Sequence, residues 1–347
     1  MEMDFNNQYN IPPTQQMPPP QFFYPPADYV SPEEKKKIRR EYNVIGIVLL
    51  SLLVLMNVIC QGSFLILMLM GQETVYDENG SVVNNLWDII IGGCFPALIA
   101  MIVFAGYCFF TKYDPREIFS VKNVKAGETV RYALIVLFFQ QISLICTIFI
   151  GSGLDSIGLY VPSIDYVLEH SPMVYIAELL GAVILAPIGE ELIYRGIVLR
   201  CSAKISQRFA IFFSAFIFGI MHGNPYQFVL GFLLGIPLAM VTLKTGSIVP
   251  AIICHMTNNL IASISEIVGY FNEKMSYVIP YIILVIFFIT GMIVLISAAV
   301  NGRVKFPAYT SYHKSRTMPV LITSWSIIIV TVLYIIELVM SIKPINP

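Results

Sequence analysis

The 347-residue chain is 56% hydrophobic and only 12% charged, with a mean hydropathy of +0.74 and a net charge of -1. Such a composition is far more apolar than that of a soluble globular protein and predicts a polytopic membrane protein. With charge near zero and no basic patch interleaved with aromatics, a nucleic-acid reader is excluded.

The first 32 residues hold eight of the 21 prolines, with Asn and Gln between them, a composition that cannot bury a core. Residues 1–43 are therefore predicted to be a disordered, Pro-rich cytosolic tail, read as a solvated spacer whose partner the sequence does not name. "KKKIRR" at 35–40 precedes a long apolar run and reads as a retained signal anchor rather than a cleaved signal peptide. Hydropathy then predicts spans near 44–70, 87–110, 132–151, 173–199, 209–223, 226–243, 248–264, 276–299 and 320–341, judged against the ~20 residues needed to cross a bilayer. The expected fold is all-α, a polytopic transmembrane helical bundle of eight or nine spans over 44–341.

With nine spans and a cytosolic N-terminus, 19 of the 21 Lys and Arg fall on the cytosolic side and only Lys274 and Lys343 lie outside, as the positive-inside rule requires. Loops 71–86 and 152–172 contain no Lys or Arg, whereas 111–131 carries five. Five of the six cysteines lie within apolar spans and none forms a CxxC pair, so they read as small buried hydrophobes. "GFLLG", with Gly231 and Gly235, is a small-xxx-small helix-packing motif.

Charges inside the fourth span carry the functional argument. In "LAPIGEELIYRGIVLR" (185–200), Glu191 and Arg195 are four residues apart and share a helix face, so they can pair. Glu190 projects about 100° away and has no partner on its own helix. An intramembrane ionisable group of that kind is a functional-site hypothesis by default. Pro187 can kink the helix and free a carbonyl nearby. The bland alternative makes "EELIYR" the wet end of the span, continued by Arg200, Lys204 and Arg208. Two of the four histidines, His222 in "FIFGIMHGN" and His255 in "AIICHMTNNL", also lie in apolar spans, and that company favours a site. Phe218, one turn before His222, can wall the imidazole, and His255 and Asn259 share a face at i, i+4.

A Glu and a His can hold and deprotonate a water, while a second His and an Asn amide can stabilise an oxyanion. Glu190, His222, His255 and Asn259 together are thus apparatus for peptide hydrolysis. At 1.5 Å per residue, Glu190 is about 15 Å from Arg200, His255 about 12 Å from Ser247 and His222 about 21 Å from Arg208. The first two depths agree, and His222 fits least well.

"EELIYR", "FGIMH" and "HMTNN", in that order within about 70 residues, resemble the EExxxR, FxxxH and HxxxN motifs of the CPBP family, the type II CAAX prenyl endopeptidases and the bacterial Abi or bacteriocin-processing proteins. The resemblance covers residues 170–265 and implies an intramembrane endopeptidase acting on peptide or lipidated protein substrates, in bacteriocin maturation or immunity for a bacterial plasma-membrane protein. It implies that Glu190 and His222 activate water, that His255 and Asn259 form the oxyanion site, and that Glu191 and Arg195 are the first motif's pair. Family members are commonly classed as metalloproteases, so zinc or another divalent ion on Glu190, His222 and His255 and a metal-free mechanism with Glu190 as general base are both open. The rival readings are a non-catalytic membrane scaffold or immunity protein of the same fold, and a proton-relaying transporter. The transporter predicts symmetry between halves that the sequence does not show.

Overall fold

The computed structural model describes residues 31–71, 75–76, 82–162, 166–204, 206–306, 320–321 and 323–345. Over these residues the chain is an all-α membrane bundle, and each predicted span has its helix. They are α1 (Pro32–Leu69), α2 (Leu86–Thr111), α3 (Ala126–Ser156), α4 (Pro172–Ala203), α5 (Gln207–Ile220), α6 (Pro225–Thr245), α7 (Val249–Phe271), α8 (Glu273–Val300) and α9 (Trp325–Met340). Seven are long and apolar enough to cross a bilayer. α5 and α9, of 14 and 16 residues, are only about 21 and 24 Å long.

Two boundaries differ from the expectation. α1 begins at Pro32, not near 44, because Ser31 accepts the backbone N–H of Glu34, Pro32 occupies the first turn and Glu33 and Glu34 complement its positive end. Hydropathy sees only the apolar part of such a helix, so residues 32–43 are helical rather than tail, and residues 1–30 of the predicted tail lie outside the described residues. α5 stops at Ile220, so His222 stands in the turn to α6, where Gly223 takes φ +61°, and not on a helix as expected.

α5 is the common wall of two apolar clusters. Phe213, Ile217 and Phe218 pack with residues of α1, α2, α4 and α9, whereas Ala210 and Ile211 pack with residues of α3, α6 and α7. The "GFLLG" expectation is met at this wall. A Cβ on Gly235 would lie 2.7 Å from Ala215 Cα, and one on Gly231 2.9 Å from Gly219 Cα, so α5 and α6 approach as closely as their backbones allow.

The two ends of the bundle segregate charge. At one end Lys204 pairs with Glu41 at 3.1 Å, Lys244 with Glu128 at 2.6 Å, and Arg200 donates to Tyr113 Oη at 2.7 Å and to Gly246 O at 2.9 Å. At the other end, strands β1 (Val75–Tyr76), β2 (Val82–Asn84) and β4 (Tyr166–Leu168) make a small sheet in that order, and β3 (Leu159–Tyr160) pairs antiparallel with β5 (Lys343–Pro344). These pairings bring the strands that follow α1, α3 and α9 to one side, as alternation of nine spans expects.

Candidate active site

α4 changes register along its length. It is α-helical over Pro172–Glu178, a π-helix over Leu179–Leu185, α-helical over Ala186–Ile193 and a π-helix again over Tyr194–Leu199. Glu190 and Glu191 sit on the α-helical turn between the two π segments, a common setting for functional residues. In the π register a carbonyl takes its donor five residues on, and Gly181 O does accept from Ala186 N. Ala182 O therefore looks to residue 187, where Pro187 has no N–H. Asn259 on α7 supplies the missing donor, its Nδ2 lying 2.8 Å from Ala182 O. Ser214 on α5 donates to Tyr194 O at 2.8 Å, at the start of the second π segment.

Glu191 and Arg195 are fully buried and joined at 3.0 Å through Oε1 and Nη1, the pairing expected from their spacing. The same Oε1 accepts from His255 Nδ1 at 3.0 Å, and the His255 side chain is 5% exposed. Arg195 lies 4.5 Å above the Phe218 ring, a cation–π contact, and its Nη2 makes a long 3.4 Å contact with Gly235 O. The network is not saturated: Glu191 Oε2 and Arg195 Nε have no hydrogen-bond partner among the described residues.

Glu190 differs from its neighbour in every respect. Its side chain is 23% exposed, and Oε2 lies 3.6 Å from His255 Nε2, just beyond direct hydrogen-bond range and at a spacing a water can bridge. His255 thus stands between the two glutamates, with Nδ1 committed to Glu191 and Nε2 turned to Glu190. His222 Nδ1 donates to Phe218 O at 2.9 Å, since a carbonyl only accepts, so the neutral ring carries its lone pair on Nε2. The Phe218 ring meets both imidazoles edge-on, at centroid distances of 5.3 Å to His222 and 5.7 Å to His255.

The structure therefore brings Glu190, Glu191, Arg195 and His255 into one connected cluster, sets His222 beside it across Phe218, and places Asn259 at the unwound carbonyl of α4. Sequence reasoning paired Glu190 with His222. The packing of α7 puts His255 next to Glu190, and one Asn259 amide N–H is spent on Ala182 O. For the metal reading, His222 and His255 each keep Nε2 free, as a ligating histidine does, while among the described residues no group of three or more His, Cys, Asp or Glu is placed to hold an ion. Residues that sequence reasoning passed over include Tyr194, whose Oη donates to Met221 Sδ at 2.7 Å, and Glu337. A Cβ on Gly223 would lie 3.6 Å from Glu337 Oε2, so this α9 carboxylate flanks the turn that holds His222. A lone Glu in "YIIELVM" was the available signal.

Residues 172–261, from the start of α4 to the middle of α7, match the family model described as Type II CAAX prenyl endopeptidase Rce1-like. No curated protein and no solved structure matches the chain. The matched segment holds all six candidate residues, and the family that their three motifs resemble is the one whose model fits it.

Proposed function

We propose that this integral membrane protein is a CAAX-type endopeptidase that hydrolyses a peptide bond of a membrane-associated or lipidated substrate, with Glu190 as general base. The observation that carries the reading is the split between adjacent carboxylates. Glu191 is buried and held by Arg195 and His255, whereas Glu190 is partly exposed, with an imidazole 3.6 Å from it. One carboxylate orients and the other reacts, the division of labour that general-base sites use.

Glu190 takes a proton from water as the water oxygen attacks the carbonyl carbon, and returns it to the departing amine, which closes the proton balance. The Nε2 lone pair of His222 accepts the water's second hydrogen and orients it. His255, fixed through Nδ1 by Glu191, becomes a donor once Nε2 is protonated, and the Glu191–Arg195 pair supports its charge, as the third member of a triad does. The remaining amide N–H of Asn259 is the second candidate donor to the oxyanion. The side chains alone carry these steps. The Lys- and Arg-rich end faces the cytosol by the positive-inside rule.

The test uses purified full-length protein in proteoliposomes, a prenylated CAAX peptide and a bacteriocin-type leader peptide, and mass detection of products with and without chelator. Wild type should cut at least one peptide. Glu190→Gln and His222→Ala should each lose about 10²–10⁴-fold, the usual worth of a positioned acid or base, and cleavage should survive the chelator. Full activity in a well-folded Glu190→Gln would sink the assignment and leave the scaffold reading.

A further inference from the structure

Asn258 and Asn259 are neighbours on α7 and serve different faces of it. Asn258 follows Cys254, whose thiol donates to Thr129 O of α3 at 3.4 Å, by four residues and so lies on the α3 side, where it is 3% exposed. Asn259 follows His255 by four and lies on the α4 side, its Nδ2 2.8 Å from Ala182 O. The two amides nevertheless meet, Asn258 Nδ2 donating to Asn259 Oδ1 at 3.2 Å. We propose that Asn258, an unspecified position of the HxxxN motif, is a positioning residue that orients and polarises the Asn259 amide for the oxyanion. The inference rests on the endopeptidase reading and deepens it.

The orientation of both amides follows from what each partner can do. A carbonyl only accepts, so Ala182 O takes an N–H of Asn259, and the Asn259 oxygen is turned the other way. That oxygen needs a donor, and Asn258 supplies it. The requirement fixes Asn258 in turn, leaving its own Oδ1 buried with no hydrogen-bond partner among the described residues. Native proteins mostly avoid such an atom, because a buried acceptor without a partner keeps its full desolvation penalty. A leucine of similar size would remove the penalty, so the orphan oxygen marks a side chain kept for its N–H.

Two effects reach the reaction. Held by Ala182 O on one side and Asn258 on the other, the Asn259 amide does not turn over to present its oxygen to the developing negative charge, and its second N–H keeps one direction, as a preorganised oxyanion donor must. Accepting at Oδ1 also polarises the amide, which strengthens both of its N–H groups as donors in low-dielectric surroundings. Asn258 itself faces α3, so it acts through its neighbour rather than on the substrate.

The experiment measures kcat and KM in proteoliposomes, with whichever of the two peptides the wild type cuts, and melting temperature in detergent. It compares wild type, Asn258→Leu, Asn259→Ala and the double variant. Asn258→Leu should lower kcat about 10-fold, less than the ~10²–10³-fold of losing an oxyanion donor outright, with KM unchanged. Its melting temperature should be no lower than that of the wild type, because the orphan acceptor has gone. In the Asn259→Ala chain the same substitution should do nothing more to kcat. A purely packing role would instead lower the melting temperature and act equally in both backgrounds. Asn258→Ala is carried alongside and read in the same way in kcat, in case leucine is too wide for the site. If no peptide is cut, the endopeptidase reading falls and the melting temperatures decide the positioning: the loss caused by Asn259→Ala should be smaller in the Asn258→Leu chain, where the amide is less firmly held at Ala182 O. Unchanged kcat in Asn258→Leu, or equal effects in both backgrounds, overturns the proposal.

Discussion

The Glu191–Arg195 and Glu41–Lys204 pairs have almost the same geometry, 3.0 and 3.1 Å between charged atoms, yet they do different work. The first has both side chains fully buried in the middle of α4, whereas the second has Lys204 59% and Glu41 28% exposed at the basic end of the bundle. Distance alone does not set the worth of an ion pair. The cost of leaving either charge alone does, and that cost follows burial.

The contrast predicts an ordered series of effects. Arg195→Leu should be the most damaging, leaving Glu191 as an uncompensated buried charge at a cost of about 3–5 kcal/mol. It should be read as a loss of melting temperature in detergent, with Glu191→Leu added in the same chain recovering much of it. If the single substitution cost no more than one at Lys204, the distinction between the two pairs would collapse.

Asn259→Ala should come next, at about 1–3 kcal/mol, because it orphans the Ala182 carbonyl. Combining it with Pro187→Ala, which restores a backbone N–H five residues on, should return part of the loss. Additive effects in that double-mutant cycle would show that Asn259 and Pro187 are not coupled through Ala182. Glu190→Gln should change stability by less than about 1 kcal/mol, as expected of a partly exposed carboxylate with no Arg or Lys pair among the described residues, while cleavage falls by about 10²–10⁴-fold. Lys204→Ala should be smallest, below about 1 kcal/mol and smaller still in high salt.

The bundle was legible in the sequence because apolar length is a physical requirement of the bilayer and survives every detail of packing. All nine apolar runs are helices, and the i, i+4 spacing gave the Glu191–Arg195 pair correctly. The start of α1 was missed because a polar, well-capped helix end looks like tail to hydropathy. His222 was placed on a helix because Met221 prolongs the apolar run, whereas α5 ends one residue earlier and Gly223 turns the chain. The π segments of α4 were invisible since hydropathy carries no register, and the donor to Ala182 O comes from a distant helix, through Asn259. Pro187 nevertheless announced the freed carbonyl. Which histidine meets Glu190 depends on how α7 packs against α4, and one chain's sequence does not encode that at a glance.

The contact between α1 and α9 bears on the order of events during synthesis. A Cβ on Gly46 would lie 2.3 Å from Ser326 Oγ and 2.6 Å from Ile327 N, and Ser326 Oγ donates to Asn43 O at 3.0 Å, across 283 residues of sequence. α1 therefore enters the bilayer long before its partner exists, carrying a glycine notch that Ser326 and Ile327 later fill. Until α9 emerges from the translation machinery, the α1 face that it will cover stays open to lipid.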